Sequence, residues 1–597
     1  MQISERIAAF RGRMREAGVT VAIVPTADSH ASEYLSDYFK TRQWLCGFTG
    51  SAGTLVVARD EAALFTDGRY FIQAQNQLEG TGVTLMRMGT AGTPSVEAYV
   101  DALTDKGDTV GVDFSVVSAQ FAHELRERLA VRGVALCDTG DWFAKLWADR
   151  LSMPQEKAFA LDMRYAGCSV SDKLSAIRDV MRAQRASAHV CNVLDDIAWT
   201  LNVRGGDVLY TPVVMSYLIV EEQSATWFVD EAKVDDALRA ALAADGVAVR
   251  GYGEITDALC AIAPGTRVMA DGKKLTAALM AALAQADVVQ HENPAMRMKA
   301  IKNGVELDNL RLAHIKDGLA VTRLMYWLKT RVGKEHMTEI GVSDRLLALR
   351  REQEHFISPS FSTICAYRDH AAMMHYSATP DTDAVLEPRD LLLIDSGGQY
   401  LEGTTDITRT FALGDVQPEQ KKHFTAVLCG MLGLANAKFL HGATGIGLDI
   451  LARGPMWDMG IDYRCGTGHG VGYLLSVHEG PNSFRWYKSA TRSEDTVLEA
   501  GMVTTDEPGV YIEGSHGIRT ENELVCSKLE ENEYGQFMGF ETITCAPIDL
   551  DAVESEQMSP RQREQLNAYH AFVRDTLMPH VADADEQAWL AHATRAI

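Results

Sequence analysis

LLLIDSGGQYLEGTTDITRTF, residues 391–411, sets two acids into strand-forming sequence. Asp395 ends an apolar run and Asp406 opens a β-branched one, with Gly-Gly and Glu-Gly between them. Glycine turn signals between two such runs predict a hairpin that brings both acids to one side. A similar pattern follows in GMVTTDEPGVYIEGSHGIRTENEL, residues 501–524. Glu507 precedes Pro508, which favours extended backbone, and Glu521 follows Ile518 and Arg519 in a second extended run. Between the two segments lies CGTGHGVGYLLSVHEGP, residues 465–481, with His469 flanked by glycines.

Burying an unpaired carboxylate costs several kcal/mol, so acids in strand interiors need partners. Each motif alone has a plainer reading: acids capping turns, a histidine in a loop, Arg519 in a surface ion pair worth little. Together, the order Asp395, Asp406, His469, Glu507, Glu521 points to a two-metal hydrolytic site. Oxygen donors favour Mg, Ca or Mn, and one imidazole shifts the choice toward Mn, with Co or Zn as alternatives. Arg519 is placed to pair with an acid and hold the ligands in position. No H-E-x-x-H occurs, and Val471 stands where a dinucleotide fingerprint needs its third glycine.

The chain has 597 residues, 46% hydrophobic and 23% charged, enough for several domains with ordinary cores. A net charge of −24 argues against nucleic acid, whose phosphates demand basic patches. The ten cysteines include no C-x-x-C pair, as expected of reduced thiols in a cytoplasmic protein. MQISERIAAFRGRMREAGVTVAIV at the start predicts an amphipathic helix running into a strand and lacks the apolar core of a signal peptide. No uncharged apolar run of about 18 residues appears, so no membrane span is expected.

Segments 19–25, 53–58 and 62–68 read as strands among helix-like stretches, which predicts a mixed α/β domain over residues 1–150. A second α/β domain is expected over 151–302. Its DDIAWTLNVRGGDV (195–208) matches TRQWLCGFTGSAGT (41–54) in position and character, and ATWFVD (225–230) matches ALFTDG (63–68). This order predicts a duplication, joined at LSMPQEKAF (151–159). Trp44, Phe48, Tyr70 and Phe71 read as turn and core residues. A third domain is expected over 303–597. It opens on a long amphipathic helix carrying Leu307, Leu310, His314, Val321, Leu324 and Leu328 near heptad spacing. From about 550 onward the pattern predicts helices on the outside.

The chain resembles the three-domain aminopeptidase P enzymes of the pita-bread metallopeptidase family. The resemblance spans nearly the whole chain: GFTGSAGTLVV, FTDGRYFIQAQNQ, LDDIAWTLNVRGGDV, MMHYSATP, GTGHGVG, VHEGP, TDEPGVY and GIRTEN, besides the segments above. It implies two related N-terminal α/β domains ahead of a pita-bread α+β catalytic domain, and a cytoplasmic homodimer. It implies release of the first residue from peptides with proline at position two. Hydroxide held between two divalent metal ions would attack the carbonyl. Asp395 then resembles a ligand of one metal, Asp406 and Glu521 the bridging carboxylates, and His469 and Glu507 the ligands completing the second. His375 and His478 resemble non-ligand histidines that contact substrate and manage protons, and Glu507 the acceptor of the water's proton. Some relatives carry a further histidine where this chain has Cys465. A prolidase acting on Xaa-Pro dipeptides, or a non-catalytic protein on the same fold, are the alternatives.

Overall fold

The computed structural model describes residues 1–488 and 496–597. Two compact units are present: residues 1–162 with 168–295, and residues 163–167 with 296–597.

In the first unit, strands β1 (Val21–Pro25), β2 (Thr54–Val57), β3 (Ala62–Thr66), β4 (Thr84–Arg87), β5 (Thr109–Val112) and β6 (Ala135–Asp138) form one sheet in the order β4-β3-β2-β1-β5-β6. A second sheet contains β7 (Ala188–Cys191), β8 (Ser216–Glu221), β9 (Ala225–Val229), β10 (Val247–Gly251), β11 (Arg267–Ala270) and β12 (Asp287–Gln290), in the order β10-β9-β8-β7-β11-β12. The two orders are the same. So are the directions: two antiparallel pairings at the centre and parallel ones outside, in both sheets. A helix stands between the first and second strands of each repeat, Thr41–Cys46 in one and Leu194–Leu201 in the other. The matched segments of sequence thus occupy matched places. Phe48 and Tyr70 are buried in the first core.

The second unit opens on helix α1 (Gly304–Arg331). Asn303 accepts from the amides of Val305 and Glu306, and Glu306 accepts from the amide of Asn303, a reciprocal cap that fixes where the helix starts. Its buried stripe includes Leu310, His314, Val321, Leu324 and Leu328. Helix α2 (Glu339–Arg351) packs beside it. Strands β13 (Phe356–Pro359) to β18 follow: β14 (Ile364–Tyr367), β15 (Leu391–Ser396), β16 (Gly398–Tyr400), β17 (Gly403–Thr404) and β18 (Ile407–Ala412). Helices α3 (Pro418–Ala435) and α4 (Gly445–Trp457) lead, past β19 (Lys438–Leu440), to the largest sheet of this unit. That sheet contains β20 (Gly468–Gly470), β21 (Glu479–Phe484), β22 (Val503–Asp506), β25 (Asn522–Asn532) and β26 (Gly535–Thr542), with β19 on one edge. Strands β23 (Gly509–Ile512) and β24 (His516–Arg519) form a separate hairpin between β22 and β25.

Helices α5 (Pro560–Leu577) and α6 (Ala584–Ala593) close the chain. They lie on the outside, as the pattern predicts, each with one face exposed and one buried. Leu566, Val573, Leu577 and Leu590 are fully buried and belong to the same core as α3 and α4. Their apolar spacing along α5 follows the helical repeat, and one face must be covered. Among the described residues, no helix is long and apolar enough to cross a membrane.

Candidate metal centre

Two hairpins of similar plan carry the four acids. In the first, β15 pairs with β18, Asp395 opposite Thr408 and Ser396 opposite Ile407. The short β16–β17 hairpin is inserted between them. In the second, β22 pairs with β25, Asp506 opposite Asn522, and the β23–β24 hairpin is inserted. Asp406 and Glu521 therefore each stand one residue before the returning strand. Glu507 stands one residue past the outgoing strand, and Asp395 lies within its own. The hairpins are joined across this mouth. Thr408 Oγ1 donates to Glu521 Oε2 at 2.8 Å, and the Glu521 amide donates to the Thr408 carbonyl at 3.1 Å. The Asp406 amide donates to Glu523 Oε1 at 2.7 Å.

His469 enters on β20, between β21 and β22. The neighbouring glycines permit this approach. A Cβ at Gly468 would lie 1.8 Å from the Thr505 carbonyl oxygen, and one at Gly470 would lie 2.4 Å from that of Glu479. The His469 amide donates to Thr505 Oγ1 at 3.0 Å. Its ring Nδ1 is 3.0 Å from the Gly470 carbonyl oxygen. A carbonyl can only accept, so Nδ1 carries the proton, and Nε2 of the neutral ring presents a lone pair. That atom is 3.5 Å from Asp406 Oδ2 and 3.4 Å from Glu507 Oε1. Lone pairs facing one another at this distance suit a cation placed among them. Donor atoms of Asp406, His469 and Glu521 all lie within 4.8 Å of one another.

The electrostatics carry the same message. Burial raises the carboxyls of Asp406 and Glu521 well above the usual range, and neighbouring acids raise them further. Glu507 is pushed up to about 7, by burial first, against the opposing pull of Arg519. Asp395 Oδ1 is buried without a hydrogen-bond partner among the described residues. Crowded, desolvated carboxylates with a buried orphan oxygen are costly unless cations offset them. The donor set, oxygens with one imidazole, fits divalent ions.

Arg519 joins the remaining parts. Its Nη2 donates to Asp395 Oδ2, its Nε to Thr408 Oγ1 at 3.1 Å, and its Nη1 to the Tyr511 hydroxyl at 2.5 Å. Glu507 Oε2 is 4.0 Å from its Nε. His478 lies against His469, ring centroids 4.3 Å apart and nearly perpendicular. The next residue, Glu479, is buried between the ammonium groups of Lys299 (3.0 Å) and Lys302 (2.5 Å). His375 sits in the loop after the 3-10 turn Arg368–Ala372. The carbonyl of its neighbour Met374 is 3.5 Å from Arg519 Nη2. Burial, then the charge of Glu507, pushes the Cys465 thiol up to about 12. At neutral pH it is a neutral thiol, four residues before His469 in sequence.

Several supporting residues gave no signal in the sequence. Glu339, Glu523, Lys299 and Lys302 are ordinary charges until the fold buries them. Arg409 gave one faint sign, a lone arginine inside a β-branched run.

A model for metallopeptidase family M24 matches residues 308–528. Models for the creatinase/prolidase N-terminal domain match residues 6–146 and 149–306, and one for the C-terminal region of peptidase M24 matches 536–597. Aminopeptidase P2 of Arabidopsis thaliana is 35% identical, covering 99% of this chain and 88% of its own. A probable Xaa-Pro aminopeptidase P of Laccaria bicolor is 36% identical, covering 96% of this chain and 90% of its own. The crystal structure of an X-prolyl aminopeptidase from Caenorhabditis elegans, described as a cytosolic enzyme with a di-nuclear active site, superposes with a TM-score of 0.95. It is 31% identical, and each chain is covered in full. An Xaa-Pro dipeptidase from Bacillus anthracis, 24% identical with a TM-score of 0.51 over 64% of this chain and 99% of its own, shares the fold alone. The chain belongs to the aminopeptidase P family of M24 metallopeptidases, with two creatinase/prolidase N-terminal domains ahead of a pita-bread catalytic domain.

Proposed function

We propose that this chain removes the N-terminal residue from peptides with proline at position two, using two divalent metal ions. The observation that carries this reading is the convergence of Asp406, His469 and Glu521 at one point, with Glu507 beside His469. Asp395, Asp406, His469, Glu507 and Glu521 would hold the ions, with Asp406 and Glu521 at the centre of the set. When bound, the ions supply charge for the reacting carbonyl and lower the pKa of the attacking water.

The chain's own groups do the rest. Side-chain exposure is 14% at His469 and 20% at Glu507, against 6% at Asp406, so the first two form the open face. Glu507 is therefore the proposed acceptor of the water's proton. The amide before proline has no N–H, yet its nitrogen leaves as a secondary amine and must gain a proton. His478 and His375 are proposed to donate to the carbonyl oxygen as charge develops and to protonate that nitrogen. Arg519 holds Asp395 and, through it, one side of the site.

Mn is the proposed native metal, with Co or Zn as alternatives. A cytoplasmic homodimer is proposed from the resemblance. Exposed Ile450, Leu451 and Trp457 on α4, with Trp486 packed at 5.8 Å against Trp457, form an apolar group of the kind interfaces cover. The proposed domain limits remain 1–150, 151–302 and 303–597.

The deciding experiment compares an Xaa-Pro-Xaa tripeptide with an Xaa-Pro dipeptide, using protein stripped by a chelator and reloaded with Mn, Co or Zn. Release of the first residue from the tripeptide, restored by metal, is expected. Turnover confined to the dipeptide would make the chain a prolidase. Unchanged turnover by Asp406→Ala would sink the two-metal assignment. Sedimentation of wild type beside Ile450→Asp checks the dimer.

A further inference from the structure

Arg409 is 2% exposed and carries a charge into the core beneath the acids. Its guanidinium has six acceptors within the described residues, and none is a carboxylate. They are the carbonyl oxygens of Thr408 (2.9 Å), Glu521 (2.5 Å), Pro547 (3.0 Å) and Ala546 (2.9 Å), Oδ1 of Asn522 (2.9 Å) and the Tyr569 hydroxyl (2.7 Å). A desolvated cation needs such a full set of acceptors. Three of these six belong to residues at or near a proposed ligand: Glu521 itself, Asn522 directly after it, and Thr408, two residues after Asp406. Three others, Ala546, Pro547 and Tyr569, belong to the chain beyond β26.

The far end of this connection is firmly held. Tyr569 lies on α5, whose Leu566, Val573 and Leu577 are fully buried. Its hydroxyl accepts from Arg409, leaving its own proton for the carbonyl oxygens of Ala546 (2.9 Å) or Thr544 (3.1 Å) or for Asn522 Oδ1 (3.3 Å). The Ile548 amide donates to His570 Nε2 at 3.1 Å. Asp549 Oδ2 accepts from the Ala412 amide at the end of β18 and from Lys329 Nζ, both at 2.8 Å. The segment from 544 to 549 and α5 therefore grip β18 at two points, Arg409 and Ala412.

We propose that the C-terminal region is part of the metal-site scaffold, with Tyr569 and Arg409 as positioning residues that fix the backbone of Glu521 against that of Thr408. Outer partners of metal ligands orient them, and their loss weakens metal binding even where the ligands are intact. Glu521 lies at the mouth of its hairpin, one residue outside β25, so β-ladder hydrogen bonds alone do not fix its carbonyl. Arg409 supplies that restraint, and Tyr569 keeps the guanidinium in register with it.

This inference rests on Glu521 being a ligand, and the test separates the two. Full-length protein is titrated with Mn2+ alone by calorimetry, and kcat and KM are measured on an Xaa-Pro-Xaa peptide. Tyr569→Phe keeps the ring and removes one acceptor. It is expected to weaken Mn2+ binding and lower kcat by about fivefold each, with KM unchanged. Val573→Ala, on the same helix, controls for general loosening: it lowers the melting temperature and leaves Mn2+ affinity within about twofold. Arg409→Lys keeps the charge but cannot reach all the acceptors, and is expected to act like Tyr569→Phe; it serves if that variant does not fold. Wild-type affinity in both variants overturns the proposal, as does an equal loss in Val573→Ala. Failure of the wild type to bind Mn2+ at all would instead overturn the two-metal reading.

Discussion

The guanidinium of Arg519 donates to the carboxylate of Asp395, 124 residues earlier in the chain, and ties the two acid-bearing hairpins together. The same side chain reaches Thr408 Oγ1 and the Tyr511 hydroxyl. Lysine keeps the charge but not the planar fork that serves three partners. Arg519→Lys is therefore expected to lower Mn2+ affinity and kcat/KM by about 10- to 100-fold. Calorimetric titration with initial-rate kinetics checks this, and values equal to wild type would show that the fork does not hold the site.

Asp406 is buried among acids that raise its carboxyl well above the ordinary range. Without metal, that charge works against folding. Asp406→Asn removes it, and in chelator near neutral pH the variant is expected to be more stable than wild type by about 1–3 kcal/mol. In excess Mn2+ that difference is offset, because ligand binding stabilises wild type by about 2.7 kcal/mol at a hundredfold excess over Kd. Urea unfolding under both conditions reads the sign directly. A variant less stable than wild type in chelator would mean that the acids do not destabilise the empty site.

Glu339 governs the loop that carries His375. Its carboxylate is fully buried and accepts from the Tyr367 amide (2.7 Å), the Ala384 amide (3.1 Å) and the Tyr376 hydroxyl (2.9 Å), with His370 Nδ1 at 2.9 Å. Glutamine offers one acceptor oxygen and turns an NH2 toward donors. Glu339→Gln should lower kcat by about tenfold, because His375 loses its place, while Mn2+ affinity holds. A parallel fall in metal affinity would show that the loop supports the ligands and not the histidine.

Stability should fall in mild acid through a histidine pair. His516 and His423 meet at 2.9 Å, Nε2 to Nδ1, and burial lowers His516 to about 4. The unfolded value is about 6.5. Below it the unfolded chain binds a proton that the folded chain refuses. Stability is thus full above about pH 6.5 and is lost as pH falls toward about 4, by at most about 1.4 kcal/mol per pH unit for each proton. His516→Asn should lose less stability than wild type between pH 7.5 and pH 5. Parallel losses in urea melts would rule out this pair as a source.

The hairpins were legible in sequence because their signals are local. Glycines and β-branched residues around Asp395 and Asp406 set strand and turn within a few residues. The duplication was legible for the same reason, since 41–54 and 195–208 each carry a helix followed by glycines ahead of the next strand of the sheet. Helix α5 lies on the outside, as its pattern predicts, with Arg561, Glu564, Ala568 and Phe572 exposed. Its apolar stripe shows that one face is covered, and periodicity does not say by what. Leu566 and Val573 in fact face the main core of the second unit.

By itself, the sequence determined which donor types stand at the hairpin mouths and in what order, because the extended pattern around each acid is written within about ten residues of it. It showed the repeat of one α/β pattern in the same local way, while the strand order of the two sheets came from the tertiary structure. Only the tertiary structure decided that His469 Nε2 faces Asp406 and Glu507, that Arg519 binds Asp395, and that Tyr569 meets Arg409 across 160 residues of chain. Those pairings come from packing separate segments into one core, where polar atoms must find partners that their own neighbours in sequence do not supply.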